Sequence, residues 1–334
     1  MYPLIRPLLF SLNPEAAHSV SMASLEIASK LGLSKLLYPS VEKPVELMGL
    51  KFSNRVGLAA GLDKNGDHID ALGSLGFGFI EIGTITPRPQ PGNPKPRLFR
   101  LPEARAVINR MGFNNQGVEH LVRGALASRY EGILGINIGK NFDTPLENAT
   151  EDYLACVQLA HEAADYLTVN ISSPNTPGLR ELQRTDELAE LCRTLVAEVR
   201  TLNEETDSAV PLLVKIAPDL DSDQIRHIAD TLVSNGIDGV IATNTTLERE
   251  AVAGMQYGDE QGGLSGAPVR EQSTAVIRQL REHLKGEIPI IGVGGIETAE
   301  HAQEKIDAGA DLVQIYTGFI YRGPAMISEI ARAI

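Results

Sequence analysis

The chain has no tryptophan, only two cysteines among 334 residues, and fewer basic than acidic side chains (30 Lys and Arg against 43 Asp and Glu). Each shortage excludes something. Without tryptophan, and with only eight Phe and eight Tyr, the core must be mainly aliphatic. Two cysteines, Cys156 and Cys192, make no disulfide framework and show no metal-ligand spacing. A reducing compartment and no metal are expected. A formal net charge of −13 argues against nucleic-acid binding, which depends on phosphate neutralisation by Lys and Arg. No run of 18 apolar residues exists, so no helix is expected to span a membrane. The opening MYPLIRPLLFSL is apolar but broken by Pro3, Arg6 and Pro7. It lacks a small-residue cleavage site, so a signal peptide is not expected. Glycine, by contrast, is plentiful at 31 residues, which suggests many tight turns.

From residue 55 onward one pattern recurs: a short apolar run, a polar or glycine-rich tip, then an amphipathic stretch. The runs are RVGLAAG (55–61), GFIEIGT (78–84), ILGINIG (133–139), YLTVNIS (166–172), PLLVKIA (211–217), DGVIATN (238–244), PIIGVG (289–294) and DLVQIYT (311–317). Near-continuous apolar runs suit parallel strands buried on both faces. The stretch 185–205 carries a helical stripe at 188, 191, 192, 195, 196 and 199. Residues 221–236 open on Asp and Ser and close on Gly236; residues 298–310 open on Thr298 and close near Gly309. Eight such units predict an α/β fold, a (β/α)8 TIM barrel; the alternative is an open doubly wound sheet. A barrel keeps its active site at the C-terminal strand ends. Polar residues do cluster there: Asp63 and Lys64, Thr84, Asn137, Asn170 with Ser172 and Ser173, Lys215, Thr243 to Thr245, Gly294 and Gly295, Tyr316 and Thr317.

Two segments fall outside the repeat. Residues 85–113 are proline-rich and basic, longer than an ordinary βα loop, and placed at the catalytic face. Residues 1–44 form an N-terminal extension ahead of a barrel domain at 45–334. Asn13 is a cap candidate with Pro14 at the first helical position, and Ala17, Val20, Ile27, Ala28 and Leu31 share a face. A short helix follows from Ser34. Residues 1–43 hold four Lys or Arg and three Glu, a net +1 on an acidic body. The extension reads either as a helical cap on the barrel or as an amphipathic pair lying on a membrane surface.

Several groups could carry chemistry. IIGVGGIETAEHA (290–302) puts Gly292, Gly294 and Gly295 between a strand and a helix, where backbone N–H groups can face a phosphate; the same glycines could be simple turns. Lys64 and Lys215 end apolar strands and need partners there. They suit a Schiff-base nucleophile, a fixed positive charge beside a cofactor or anionic substrate, or structural ion pairs. Asn109, Asn137, Asn170, Asn175 and Asn244, with Thr245, would line the mouth with donors and acceptors, which fits a planar heterocycle with alternating N–H and C=O groups.

GLAAGLDKNG (57–66), EIGTITPRPQPGNPKPRLFRL (81–101), NRMGFNN (109–115), GINIGKN (135–141), NISSPNTPGLR (170–180), IATNTT (241–246), GGLSG (262–266), IGVGGI (291–296) and QIYTG (314–318) together resemble the dihydroorotate dehydrogenases. The resemblance runs over essentially the whole chain. It is specific to the quinone-dependent, membrane-associated class, which has the extension and a serine base; the soluble class carries cysteine at the base position. The resemblance implies an FMN enzyme oxidising (S)-dihydroorotate to orotate in pyrimidine synthesis, with a quinone as final acceptor. It implies FMN contacts at Ala60, Gly61, Leu62, Asp63, Lys64, Thr84, Asn137, Asn170, Lys215, Thr243, Gly266, Gly295, Tyr316 and Thr317. It implies substrate contacts at Lys64, Asn109, Arg110, Met111, Gly112, Phe113, Asn170, Asn175, Asn244 and Thr245. Quinone candidates are His18, Arg100 and Tyr316. A monomer, peripheral on the cytoplasmic face of the cell membrane, is the implied setting, and the alternatives are a soluble-class dihydroorotate dehydrogenase, another FMN barrel oxidoreductase or a Schiff-base barrel aldolase.

The stretch VNISSPNTPGL (169–179) crowds hydroxyls and amides with no histidine. Strand alternation puts Asn170 and Ser172 on one face, which would favour Ser172 as the inward serine. The resemblance instead implies Ser173 as the base taking the C5 proton while substrate C6 gives a hydride to FMN. A serine hydroxyl is a poor base at neutral pH, so the reading requires a relay through Thr176 or water.

Overall fold

The computed structural model describes residues 2–184 and 187–334. In chain order the elements are α1 (Tyr2–Ser11), α2 (Pro14–Lys30), α3 (Leu33–Leu37), β1 (Val45–Leu47), β2 (Leu50–Phe52), β3 (Val56–Leu58), α4 (Ile69–Gly73), β4 (Phe79–Ile85), β5 (Leu98–Leu101), β6 (Ala106–Asn109), α5 (Val118–Ala127), β7 (Ile133–Ile138), α6 (Ala149–Ala160), β8 (Tyr166–Asn170), α7 (Glu187–Thr206), β9 (Leu212–Ile216), α8 (Ser222–Ser234), β10 (Gly239–Ala242), β11 (Gly263–Gly266), α9 (Arg270–Leu284), β12 (Ile290–Val293), α10 (Ala299–Asp307), β13 (Leu312–Ile315), α11 (Thr317–Arg322) and α12 (Ala325–Ala333).

Strands β3, β4, β7, β8, β9, β10, β12 and β13 are the expected apolar runs. They pair in parallel in that order, and β13 returns to β3, closing the barrel. The open-sheet alternative is thereby excluded. The interior is shared between large and absent side chains. A Cβ on Gly57 would lie 2.3 Å from the Phe79 ring, and one on Gly135 would lie 2.1 Å from Tyr166. Glycine at those positions therefore makes room for two aromatic rings, each worth roughly 2–3 kcal/mol when buried. Phe52 packs edge-on against Phe79 at 5.2 Å, so the β1–β2 hairpin, unforeseen in the sequence, closes the N-terminal end of the barrel.

The helices start where their caps dictate. The Asn13 side chain accepts from Glu15 N at 3.0 Å, with Pro14 opening α2. Asp221 and Gln224 form a reciprocal capping box on α8. The α7 stripe at 188, 191, 192, 195, 196 and 199 is buried, while the expected start of that helix, 185–186, lies outside the described residues. Residues 2–11 are helical despite two prolines. Pro3 sits in the first turn, where its missing N–H has no helical partner, and Pro7 forfeits a single bond. The long insertion at 85–113 is not a bare loop. Its β5 and β6 pair antiparallel with each other, and β11, from GGLSG, adds a third strand in the order β11-β6-β5.

Candidate active site

The C-terminal strand ends and the three-stranded sheet enclose a cavity of about 150 Å³. Its wall includes Ala60, Gly61, Lys64, Thr84, Asn109, Met111, Gly112, Phe113, Asn170, Ser173, Asn175, Lys215, Thr243, Asn244, Thr245, Gly266, Gly295, Tyr316 and Thr317. Residues from Ala60 to Thr317 thus meet at one surface, because parallel strands all end at the same face.

Four of the expected cofactor and substrate residues stand off the wall. The Asp63 carboxylate accepts from the backbone N–H groups of Asn65, Gly66, Asp67 and His68 at 2.7–3.2 Å. It shapes the loop that presents Gly61 and Lys64, and Leu62 is buried beside it. Asn137 lies behind Thr84 and Asn170, accepting from both on Oδ1 at 2.5 and 3.2 Å. Arg110 turns outward, pairing with Glu260 at 2.5 Å and lying 4.6 Å over the Phe99 ring.

The two serines separate. Ser172 has no exposure and is tied into the network: its hydroxyl donates to Asn170 Oδ1 at 3.0 Å and accepts from Asn244 Nδ2 at 2.9 Å. Ser173 opens onto the cavity and accepts from Asn175 N at 3.2 Å. The alternation argument fails here because the strand ends at Asn170, so period two no longer applies beyond it. Arg180, not foreseen as a site residue, holds this loop in place. It donates to Ser172 O at 2.9 Å and Thr245 O at 2.7 Å and pairs with Asp219 at 2.6 Å. Asn175 ties the loop to the opposite wall through Asn109 O at 3.2 Å.

Charge inside the cavity is positive. Burial first, then the nearby Arg97 charge, push the Lys64 ammonium down to about 8, against the pull of Glu15 and Asp63. Burial likewise lowers Lys215, opposed by Glu81, whose Oε1 stands 3.9 Å from its Nζ. Glu81 and Gln314 escaped the sequence reading, yet both carried a signal: each is a polar residue within an apolar strand run, which is rare unless it is paired.

The cavity has features that suit a flavin phosphate and a planar substrate. Gly294 and Gly295 adopt φ of 128° and 70°, and a Cβ on Gly295 would lie 2.4 Å from Arg270 Cβ. Only glycine fits that approach, and among the described residues neither N–H finds a backbone acceptor. Thr245 Oγ1 and Gln314 Oε1 are buried without hydrogen-bond partners, and both residues are on the wall. These unsatisfied groups and the glycine cradle fit such ligands.

The extension approaches from one side. His18 on α2 is driven to about 4 by burial and by the charges of Lys64 and His68, against Glu15, so it is neutral at ordinary pH. Arg100 sits at the end of α1, donating to Leu9 O at 3.1 Å and Phe10 O at 3.2 Å, and to Leu12 O. It is not on the cavity wall, and of the quinone candidates only Tyr316 is. Arg97, nearly buried, forks onto Glu15 at 3.0 and 3.2 Å and binds Pro91 O and Asn93 O. Burial works to raise the Glu15 carboxyl, but Arg97 and Lys95 outweigh it and hold it below its ordinary range. The outward face of the extension is apolar, with Leu4, Leu8, Ile27, Leu31 and Leu36 between 62% and 85% exposed. No described helix is long and apolar enough to cross a membrane, and no group of three or more metal-ligating side chains exists among the described residues.

Comparison with known proteins agrees with this geometry. The family model described as dihydroorotate dehydrogenase matches residues 43–334. A protein of Cellvibrio japonicus named dihydroorotate dehydrogenase (quinone) is 59% identical over all of this chain and 98% of its own length. One of the same name from Chromobacterium violaceum is 60% identical over all of this chain and 97% of its own. Among solved structures, the Eimeria tenella DHODH in complex with ferulenol superposes with a TM-score of 0.88 at 38% identity, covering 98% of this chain and 93% of that one. The extension is included in these full-length matches, and the chain belongs to the dihydroorotate dehydrogenase family.

Proposed function

We propose that the protein oxidises (S)-dihydroorotate to orotate, passes the electrons to a membrane quinone, and serves pyrimidine synthesis. The observation that carries this reading is the polar, positively charged cavity lined by Lys64, Lys215, Ser173 and the asparagines, within a full-length likeness to quinone-linked relatives. Flavin mononucleotide, bound with its phosphate at Gly294 and Gly295, would supply the two-electron acceptor. Thr84, Asn170, Lys215, Thr243, Gly266, Tyr316 and Thr317 would hold it, with Ala60 and Gly61 close by. Asn137 and Asp63 would act one step back, through the residues they orient.

Lys64 would hold the substrate carboxylate, and Asn109, Asn175, Asn244 and Thr245 the ring edges. The Thr245 hydroxyl, unsatisfied within the protein, would gain its partner from the substrate. Such fixed contacts align the C6–H bond with the acceptor. Ser173, as the serine that faces the cavity, would take the C5 proton while its own hydroxyl proton passes on through Thr176 or water. The Ser172 hydroxyl is already committed to Asn170 and Asn244. Lys215 would stabilise negative charge that develops next to it.

The extension would lie on the membrane through its exposed leucines and admit the quinone toward Tyr316, with neutral His18 offering a hydrogen bond on the way. Arg100 would shape that entrance by holding the end of α1. The acidic body would be repelled by anionic lipid, which limits contact to the extension of a monomer on the cytoplasmic face. The test is direct. Purified holoprotein should be yellow, bleach with dihydroorotate under anaerobic conditions, and regain colour with a quinone. A lysine adduct trapped by borohydride in place of bleaching would favour aldolase chemistry instead.

A further inference from the structure

Glu81 lies in mid-strand on β4 with no solvent exposure, yet it carries a carboxylate into the interior of the barrel. Oε2 accepts from Tyr166 OH at 3.0 Å, Gln314 Nε2 at 2.9 Å and Thr168 Oγ1 at 3.3 Å. Oε1 accepts from Asn137 Nδ2 at 2.8 Å and faces Lys215 Nζ at 3.9 Å. These partners come from β7, β8, β9 and β13. A barrel interior can be filled with aliphatic side chains alone, and a buried carboxylate is unfavourable unless compensated. This charge therefore invites an explanation beyond packing.

A carboxylate can only accept hydrogen bonds. Asn137 must then turn its NH2 group to Glu81 and its carbonyl away. That carbonyl accepts from Thr84 Oγ1 and Asn170 Nδ2. Asn170, oriented in turn, shows its carbonyl to Ser172 Oγ at 3.0 Å and Asn244 Nδ2 at 3.4 Å. Asn244 completes the run by donating to Ser172 Oγ. The directions of these three amides thus follow from one charge. Lys215 and Glu81 face each other, and the only other titratable group on this carboxylate among the described residues is the Tyr166 hydroxyl.

Building on the cavity reading above, we infer that Glu81 is a positioning residue: it sets the amide directions of Asn137, Asn170 and Asn244, and it is the counter-charge of Lys215 at the cofactor face. The test uses holoprotein carrying Glu81→Gln, alone and with Lys215→Met. Orotate binding is followed by the change it causes in the cofactor's visible spectrum, and the cofactor's midpoint potential is measured without substrate. Glu81→Gln should weaken orotate binding about tenfold or more, since a donor now stands among donors. Its shift of the midpoint potential should fall by at least about half in the Lys215→Met background, as expected for coupled charges. Unchanged orotate affinity, or equal potential shifts in both backgrounds, overturns the inference. If Glu81→Gln yields no holoprotein, Asn137→Leu decides: it keeps both charges but cuts the amide run, and an unaltered orotate affinity overturns the inference. Wild-type holoprotein that fails to bind orotate refutes the cavity reading itself, a result distinct from these.

Discussion

The barrel mouth and the N-terminal extension solve opposite problems with opposite kinds of residue. At the mouth and in the barrel interior beneath it, polar and charged groups are buried and held by one another; Ser172, Asn137 and Glu81 have no exposure. On the extension, leucines that a core would hide face outward, up to 85% exposed at Leu4. Burying polar groups is tolerable only when they are paired, and exposing apolar ones makes sense only when something covers them. On the proposed function, the first region would orient a small molecule and the second would meet a membrane surface. Arg97 is the joint between them, gripping Glu15 of α2 while it holds the carbonyls of Pro91 and Asn93 in the insertion.

The sharpest way to break this contrast lies at the mouth. Ser173→Ala should slow reduction of the bound cofactor by dihydroorotate about 100- to 10,000-fold while orotate still binds. Ser172→Ala should instead weaken orotate binding by roughly tenfold, the worth of its hydrogen bonds. Equal rate losses in stopped-flow measurements would make Ser172 the base. On the extension, Leu8→Glu with Leu36→Glu should reduce binding to lipid vesicles about 100-fold, given roughly 1.5–3 kcal/mol per buried leucine. Reduction of the cofactor by dihydroorotate should not change, and sedimentation that still brings the variant down with vesicles would refute the membrane face.

A smaller effect follows from Lys64. Its ammonium is lowered from 10.5 to about 8, so it is charged below that pH and progressively neutral above it. Affinity for the orotate carboxylate should therefore fall as the pH rises through about 8, by up to tenfold per unit. Lys64→Met should flatten that dependence in equilibrium titrations; a profile that stays steep would assign the carboxylate to another group. The smallest effect is local. Asn13→Ala removes the cap on α2 and should cost about 1 kcal/mol, seen as faster hydrogen exchange at Glu15 with no change around Asn170.

Much of this is legible in the sequence. The eight apolar runs, each followed by a polar tip, determine the barrel, since period and spacing are local properties of a chain. Asn13, Asp221 and Thr298 announce their helices because a cap depends on neighbours two or three residues away. The β1–β2 hairpin and β11 were missed because their three or four residues alternate too briefly to stand out. Glu81 was passed over inside GFIEIGT because its partners lie on strands far away in sequence.

The serine loop marks the boundary between the two kinds of information. Residue by residue, the sequence supplied the hydroxyls, the amides, the stiffening prolines and the glycine cradle. It also determined an acidic body and an amphipathic extension, because composition and helical period need no partner to be read. Which serine opens on the cavity, which way Arg110 turns, and that Asn137 stands behind Thr84 were decided by tertiary structure alone. Those orientations are set by contacts such as Arg180 with Asp219 and Glu81 with Asn137, which exist only once distant strands have closed into a barrel.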